Sequence, residues 1–209
     1  MERCQNRDCL KDNFYEKLCQ IFETMENPQI DIIKVIVHRD PWKNNLMFQF
    51  ENDDETGNVN LEKPKHCIFL DFQTVRYLSL THDVLMAIYS NTRKDNYDVN
   101  MMHYLMFYYE QLKLELEKRN IDIANKLNKD IFIESCSYFK LVALVFSAIV
   151  VMLTFIPVDY FTSLEETTYE QFMIGARDEK VLKLMDKDTY YSECLIEIVD
   201  EIIETIYDL

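Results

Sequence analysis

Glycine is almost absent from this chain. Two glycines, Gly57 and Gly175, stand among 209 residues, together with four prolines. Every glycine-rich phosphate loop needs several glycines in one turn, because only a residue without a Cβ lets the backbone fold so tightly around a phosphate. A Walker loop and a dinucleotide fingerprint are therefore excluded, and so is any collagen-like or low-complexity architecture. With 48% apolar and 13% aromatic residues the chain is still globular, and its length suits one domain, or part of one.

Acids outnumber bases by 37 to 22, a formal net charge of −15. Phosphate backbones are held by clustered Lys and Arg, so no nucleic-acid partner is expected. A small anionic ligand could still be met through a metal ion. The six cysteines, Cys4, Cys9, Cys19, Cys67, Cys136 and Cys194, form no C-x-x-C pair and have no histidine at zinc spacing. The polar opening MERCQN is followed by no apolar stretch, so reduced thiols and a cytoplasmic location are the expectation.

Residues 11–26 place Phe14, Leu18, Ile21, Phe22 and Met25 on one helical face, and Asn27-Pro28 ends it. The β-branched run Ile32 to Val37 predicts a buried strand. Leu46 to Phe50 and Cys67 to Leu70 predict two more, joined by an exposed hairpin loop over 51–66. An antiparallel hairpin sets the start of one strand beside the end of the other, so Asn45 and Asp71 are expected to be neighbours.

From Thr81, a candidate cap, the pattern is helical: to about Ser90, over Val99 to Lys118, from Asn128 to Pro157, then over 165–185 and 189–208. Residues 186–208 carry eight acids, and an acidic solvent face opposite Leu195, Ile198, Ile202 and Ile206 is expected. Leu141 to Val158 is eighteen residues without a charge. That is barely enough to span a bilayer. Ser147, Thr154 and Pro157, with no flanking basic cluster, favour a buried central helix over a membrane span.

The informative stretch is His38-Arg39-Asp40-Pro41-Trp42-Lys43-Asn44-Asn45, followed by Asp71-Phe72-Gln73. An H-x-D-x-x-x-x-N loop after a strand, then an Asp at the end of another, is the order of a kinase catalytic loop and its metal-binding aspartate. Phosphoryl transfer needs a carboxylate to orient the acceptor hydroxyl and take its proton, which would be Asp40. It also needs hard oxygen ligands for Mg²⁺, which Asn45 and Asp71 would supply. His38 would do no chemistry and would fix the loop. Taken singly, each such Asp or Asn is more simply a turn or cap residue.

In detail the motifs resemble the ecdysteroid kinase-like family, also called the CHK kinase-like domain, a relative of choline kinases and aminoglycoside phosphotransferases. The resemblance rests on Trp42 in HRDPWKNNLMF, on DFQ at 71–73 and on Asp83 in THDVL, and covers about residues 30–160, with YLMFYYEQL (104–112) where such proteins carry a long aromatic helix. It implies an α+β, mostly helical, protein kinase-like C-terminal lobe with a small antiparallel β patch around the catalytic loop. It implies ATP and Mg²⁺ as cofactors and a small-molecule hydroxyl acceptor, steroid-like in one known substrate class. Asp40 matches the catalytic base, His38 the loop-supporting histidine, and Asn45 and Asp71 the metal ligands. Asp83 matches a bracing aspartate, although an acid at a helix N-terminus is a sufficient alternative.

Two departures stand out. Arg39 replaces the usual glycine. Only 37 residues precede His38, and Lys11, Lys17 and Lys34 do not fit the ATP-pairing lysine. The chain is thus expected to be one lobe over 1–209, with a catalytic segment at 32–83, a helical subdomain at 84–209 and no ATP lobe ahead of them. A truncated or partial kinase of doubtful stand-alone activity is the first expectation. A non-catalytic binding protein for a lipophilic small molecule, suggested by ten Met, thirteen Tyr and thirteen Phe, is the alternative.

Overall fold

A computed structural model describes residues 13–52, 57–121, 127–157, 160 and 177–207. The fold is α+β and mostly helical. Helix α1 (Phe14–Glu26) precedes strands β1 (Lys34–Val37), β2 (Leu46–Asn52), β3 (Val59–Phe69) and β4 (Arg76–Ser79). Helices α2 (Thr81–Asn91), α3 (Lys94–Glu117), α4 (Lys129–Thr154), α5 (Arg177–Lys187) and α6 (Thr189–Tyr207) follow. The expected helix over 165–185 lies outside the described residues up to 176.

The strands form two separate antiparallel pairs. In one, β1 runs against β4 with Lys34 opposite Ser79 and Val37 opposite Arg76. In the other, β2 runs against β3 with Leu46 opposite Phe69. The hairpin anticipated between β2 and β3 is present, but its loop is shorter than 51–66. Strand β3 begins at Val59 and passes through Pro64, where the register shifts on either side of Phe50. Proline cannot donate to a ladder, and a bulge on a solvated ribbon accommodates it. Gly57 sits in this turn with φ +69°, a left-handed conformation that glycine adopts without steric cost.

Strand β1 is not the buried strand its composition predicts. Ile36 is 77% exposed and only Val37 is sealed from solvent, because this narrow pair has no layer over its outer face. The partner β4 escapes a reading of the sequence altogether. Thr81 is not a cap either: Leu80 holds that position, and the buried Thr81 hydroxyl pairs with Ser79 Oγ at 2.9 Å.

The core gathers on α4, which packs against α1, α2, α3 and α6. Asn128 caps it, its Oδ1 accepting from the Ile131 N–H at 2.9 Å, and Phe132 and Leu144 are fully buried. Among the described residues α4 is the one helix long and apolar enough to cross a membrane. In the fold it packs against four other helices, with 39% of its most apolar window buried. Ser90 and Ser147 bond to each other at 2.9 Å where α2 and α4 meet, which satisfies two hydroxyls inside the core.

The acidic face of α6 is a further correction. Asp200 and Glu201 are buried rather than solvated. Glu201 takes the ammonium of Lys140 at 2.6 Å and that of Lys94, while Glu197 forks onto the guanidinium of Arg93. The carboxylates of α6 thus clamp it to the start of α3 and the middle of α4. Burial opposes ionisation of Glu201, but the two lysines outweigh it and hold its carboxyl below the usual range.

Candidate active site

The loop 38–45 leaves β1 and folds back through a short 3₁₀ turn, Lys43–Asn45, into β2. Three sets of polar contacts shape it. Asp83, in the first turn of α2, accepts the backbone N–H of His38 at 2.7 Å and that of Arg39 at 2.9 Å, one on each carboxylate oxygen. The His38 carbonyl accepts from Thr74 Oγ1 at 2.8 Å. Asn91, at the far end of α2, donates from Nδ2 to the Pro41 carbonyl at 2.9 Å.

His38 is buried and its ring links the two motifs. Nε2 lies 2.7 Å from the Leu70 carbonyl and Nδ1 lies 3.3 Å from the Asp40 backbone nitrogen. A carbonyl only accepts, so Nε2 carries the hydrogen, and Nδ1 is left to accept from Asp40 N–H. Both ring nitrogens are occupied by backbone. Phe72 meets the ring edge-on with centroids 4.7 Å apart.

Arg39 has φ +71°, a conformation costing most side chains about 1–2 kcal/mol and glycine nothing. The two hydrogen bonds from Asp83 fall on this residue and its predecessor and hold the turn. The Arg39 guanidinium lies 5.3 Å from the centre of the Phe146 ring. Beneath the loop, burial pushes the His82 imidazole down to about 4, with Asp83 opposing and Arg39 reinforcing the shift. His82 is thus neutral near pH 7.

Asn45 and Asp40 meet directly. Asn45 Nδ2 donates to Asp40 Oδ2 at 2.8 Å and to the Asp40 carbonyl at 3.0 Å. Asp40 Oδ1 and Asn45 Oδ1 have no partner among the described residues. The Asn45 carbonyl accepts from Leu70 N–H at 2.8 Å, so Asn45 faces the residue just before Asp71, as the hairpin geometry requires. Asp71 is exposed, with φ +60°, and Gln73 Nε2 donates to its Oδ2 at 3.1 Å.

The arrangement offers one half-buried carboxylate with a free oxygen, beside one amide oxygen and one exposed carboxylate. Such a set can accept a proton and ligate a hard cation. Among the described residues no cluster of three or more His, Cys, Asp or Glu converges, but Mg²⁺ asks only one or two protein ligands and takes the rest from phosphates and water. By donor type, an amide oxygen and a carboxylate suit it.

Thr74 and Asn91 are the supporting residues that sequence inspection misses. Each acts on a loop 36 to 50 residues away, and neither stands in a motif. Asp83 and His38 had visible signals, each standing in a motif of the family the sequence resembles. No curated protein and no solved structure matches the chain. Residues 2–121 match the ecdysteroid kinase-like family. That match covers more than half of the 209 residues and includes the whole of the loop, Asp71 and Asp83, and the chain therefore belongs to the ecdysteroid kinase-like family.

Proposed function

We propose that this kinase-like protein transfers the γ-phosphoryl group of ATP to the hydroxyl of a small molecule. The observation that carries this reading is the Asp40–Asn45 contact on a loop immobilised by Asp83 and His38. Catalysis of phosphoryl transfer rests mostly on positioning and electrostatics, and here a carboxylate with one free oxygen is held in place by the Asn45 amide nitrogen.

In this reading Asp40 Oδ1 accepts the proton of the acceptor hydroxyl. The hydroxyl oxygen forms its bond to the γ-phosphorus as the bridging bond to the β-phosphate breaks, and ADP leaves with that electron pair. Asn45 Oδ1 and the Asp71 carboxylate would hold Mg²⁺, which offsets the charge of the phosphates when bound. His38 and Asp83 are positioning residues. An acidic chain with a net charge of −15 has particular need of a cation to meet ATP. The alternative of a non-catalytic binding protein for a lipophilic small molecule draws on the ten Met, thirteen Tyr and thirteen Phe of the chain.

The experiment is phosphoryl transfer from ATP to a panel of alcohols by the purified chain in Mg²⁺. Asp40→Asn is expected to lower turnover by about 10²–10⁴-fold while the thermal melt stays close to that of the wild type. Turnover that survives Asp40→Asn overturns the assignment. Alcohol binding with no turnover by wild type favours the binding protein.

A further inference from the structure

Phe146 of α4 is a junction. The Phe22 ring of α1 meets it with centroids 6.1 Å apart and planes at 75°, and the His82 ring of α2 meets it at 5.9 Å and 76°. The third neighbour is the Arg39 guanidinium, over the ring at 5.3 Å from its centre. A cation within about 6 Å of a ring centre is attracted to the face. Two helices and the catalytic loop thus converge on one side chain, which lies beyond the 2–121 segment matched by the family.

Arg39 holds its place against three opposing effects. Its φ of +71° crowds any residue that has a Cβ. Its Nε is buried without a hydrogen-bond partner, and an unpaired buried donor is unfavourable. Burial, and then the charge of Arg76, hold its pKa below the ordinary arginine value, with Glu26 opposing. Arg76 stands in β4 opposite Val37, two residues before Arg39.

Backbone strain of this kind persists where the surroundings over-determine it. Asp83 supplies part of the constraint. Its bonds fall on the backbone N–H groups of His38 and Arg39, however, and would serve a glycine at this position equally well. What the arginine side chain adds is its contact with Phe146.

We infer that Arg39 is a positioning residue: its guanidinium, seated on Phe146, fastens the turn before Asp40 to α4 and so aims the Asp40 carboxylate. With Asp83 holding the same residue from α2, the turn is tied to two helices. Two points of attachment fix direction as well as place. The aiming rests on the role proposed for Asp40, whereas the fastening rests on the contact alone.

Amide hydrogen exchange of the full chain tests the fastening. The Asn45 N–H, bonded to the Trp42 carbonyl at 2.8 Å, reports opening of the loop and is too far along the chain for residue 39 to alter its intrinsic rate. Arg39→Gly is expected to speed its exchange about three- to fivefold and to leave the α4 amides unchanged. Relief of the left-handed φ offsets the lost contact, so the melting temperature is expected to stay within about 2 °C of the wild type. Arg39→Lys keeps a cation for the ring and is expected to stay within about twofold of the wild-type rate. Phe146→Leu is expected to speed exchange at least as much as Arg39→Gly, and adding Arg39→Gly to it to change nothing more, because both remove one contact. Should Phe146→Leu not fold, Arg39→Met, which keeps the stem and loses the charge, is expected to match Arg39→Gly.

Exchange at Asn45 unmoved by Arg39→Gly overturns the inference. So do effects that multiply in the double variant, a wild-type rate in Arg39→Met, or an acceleration shared equally by α4, which marks a general loss of stability. In phosphate transfer Arg39→Gly is expected to lower kcat about tenfold with the KM for ATP within about twofold. An unchanged kcat beside faster loop exchange overturns the aiming. The two readings fail differently. The exchange pattern in a chain whose wild type transfers no phosphate leaves the fastening standing and sinks the enzyme, whereas turnover and exchange both unmoved by Arg39→Gly leave the enzyme standing and sink the inference.

Discussion

The helical bundle and the two β pairs are held together by different forces. Around α4 the chain buries Phe132, Phe139, Leu144 and Ile203 almost completely, and loss of water contact by apolar surface stabilises that half. These pairs and the short turn after β3 leave Ile36, Tyr77, Ile68 and Phe72 more than half exposed. Their loop owes its shape to side chains bonded to backbone: Asp83 to two N–H groups, Thr74 and Asn91 to carbonyls, His38 to both. Burial is non-directional and tolerates small shifts; hydrogen bonds specify direction and break over a fraction of an ångström. A site that must aim a carboxylate is built from the second kind, standing on a base of the first.

The contrast can be broken most forcefully in the bundle. Phe132→Ala removes a ring with no exposed surface and is expected to cost about 3–5 kcal/mol in urea unfolding. A loss below about 1 kcal/mol would show that α4 is not the centre of the core.

Asp83→Ala should act more weakly and more locally. It strips two part-buried N–H groups of their acceptor, an expected loss of about 1–2 kcal/mol. Amide hydrogen exchange should accelerate at His38 and Arg39 and stay slow in α4. Equal acceleration in both regions would mean that loop and bundle open as one unit.

The third perturbation is pH, aimed at the polar clamp inside the bundle. Glu201 has its carboxyl held below the ordinary value of 4.5, so the folded state binds its proton less readily than the unfolded state. Its contribution is therefore complete above that ordinary value and is lost as pH falls through the lowered one. Urea midpoints of wild type should drop in that window, and Glu201→Gln should flatten the drop. An unchanged pH profile in Glu201→Gln would remove the clamp from the account.

The parts of the fold visible in the sequence are those with a local cause. Asn128 at the head of an apolar helix, Asn27-Pro28 at the tail of α1, and the 3.6-residue spacing in α6 each act within one turn of chain. The hairpin joining Asn45 to the neighbourhood of Asp71 was legible because an antiparallel pair has one geometry. Strand β4 was not, since its four residues gain their pairing only when β1 arrives beside them. The exposure of β1 and the burial of Asp200 and Glu201 were misread for one reason. Residue type states a preference for water, but the neighbouring element decides whether water is there.

By itself the sequence determined the order of the chemistry-bearing residues, a stock of two glycines too small for a glycine-rich phosphate loop within these 209 residues, and the family to which the chain belongs. Each depends on which residues follow which along the chain. Only the tertiary structure decided that Asp83 bonds the loop backbone at two successive residues, that Arg39 takes a left-handed turn, and that Lys43 and Arg93 lie over the rings of Phe155 and Tyr190. Those contacts join residues up to about a hundred positions apart, and no local pattern encodes a meeting that depends on how the helices pack.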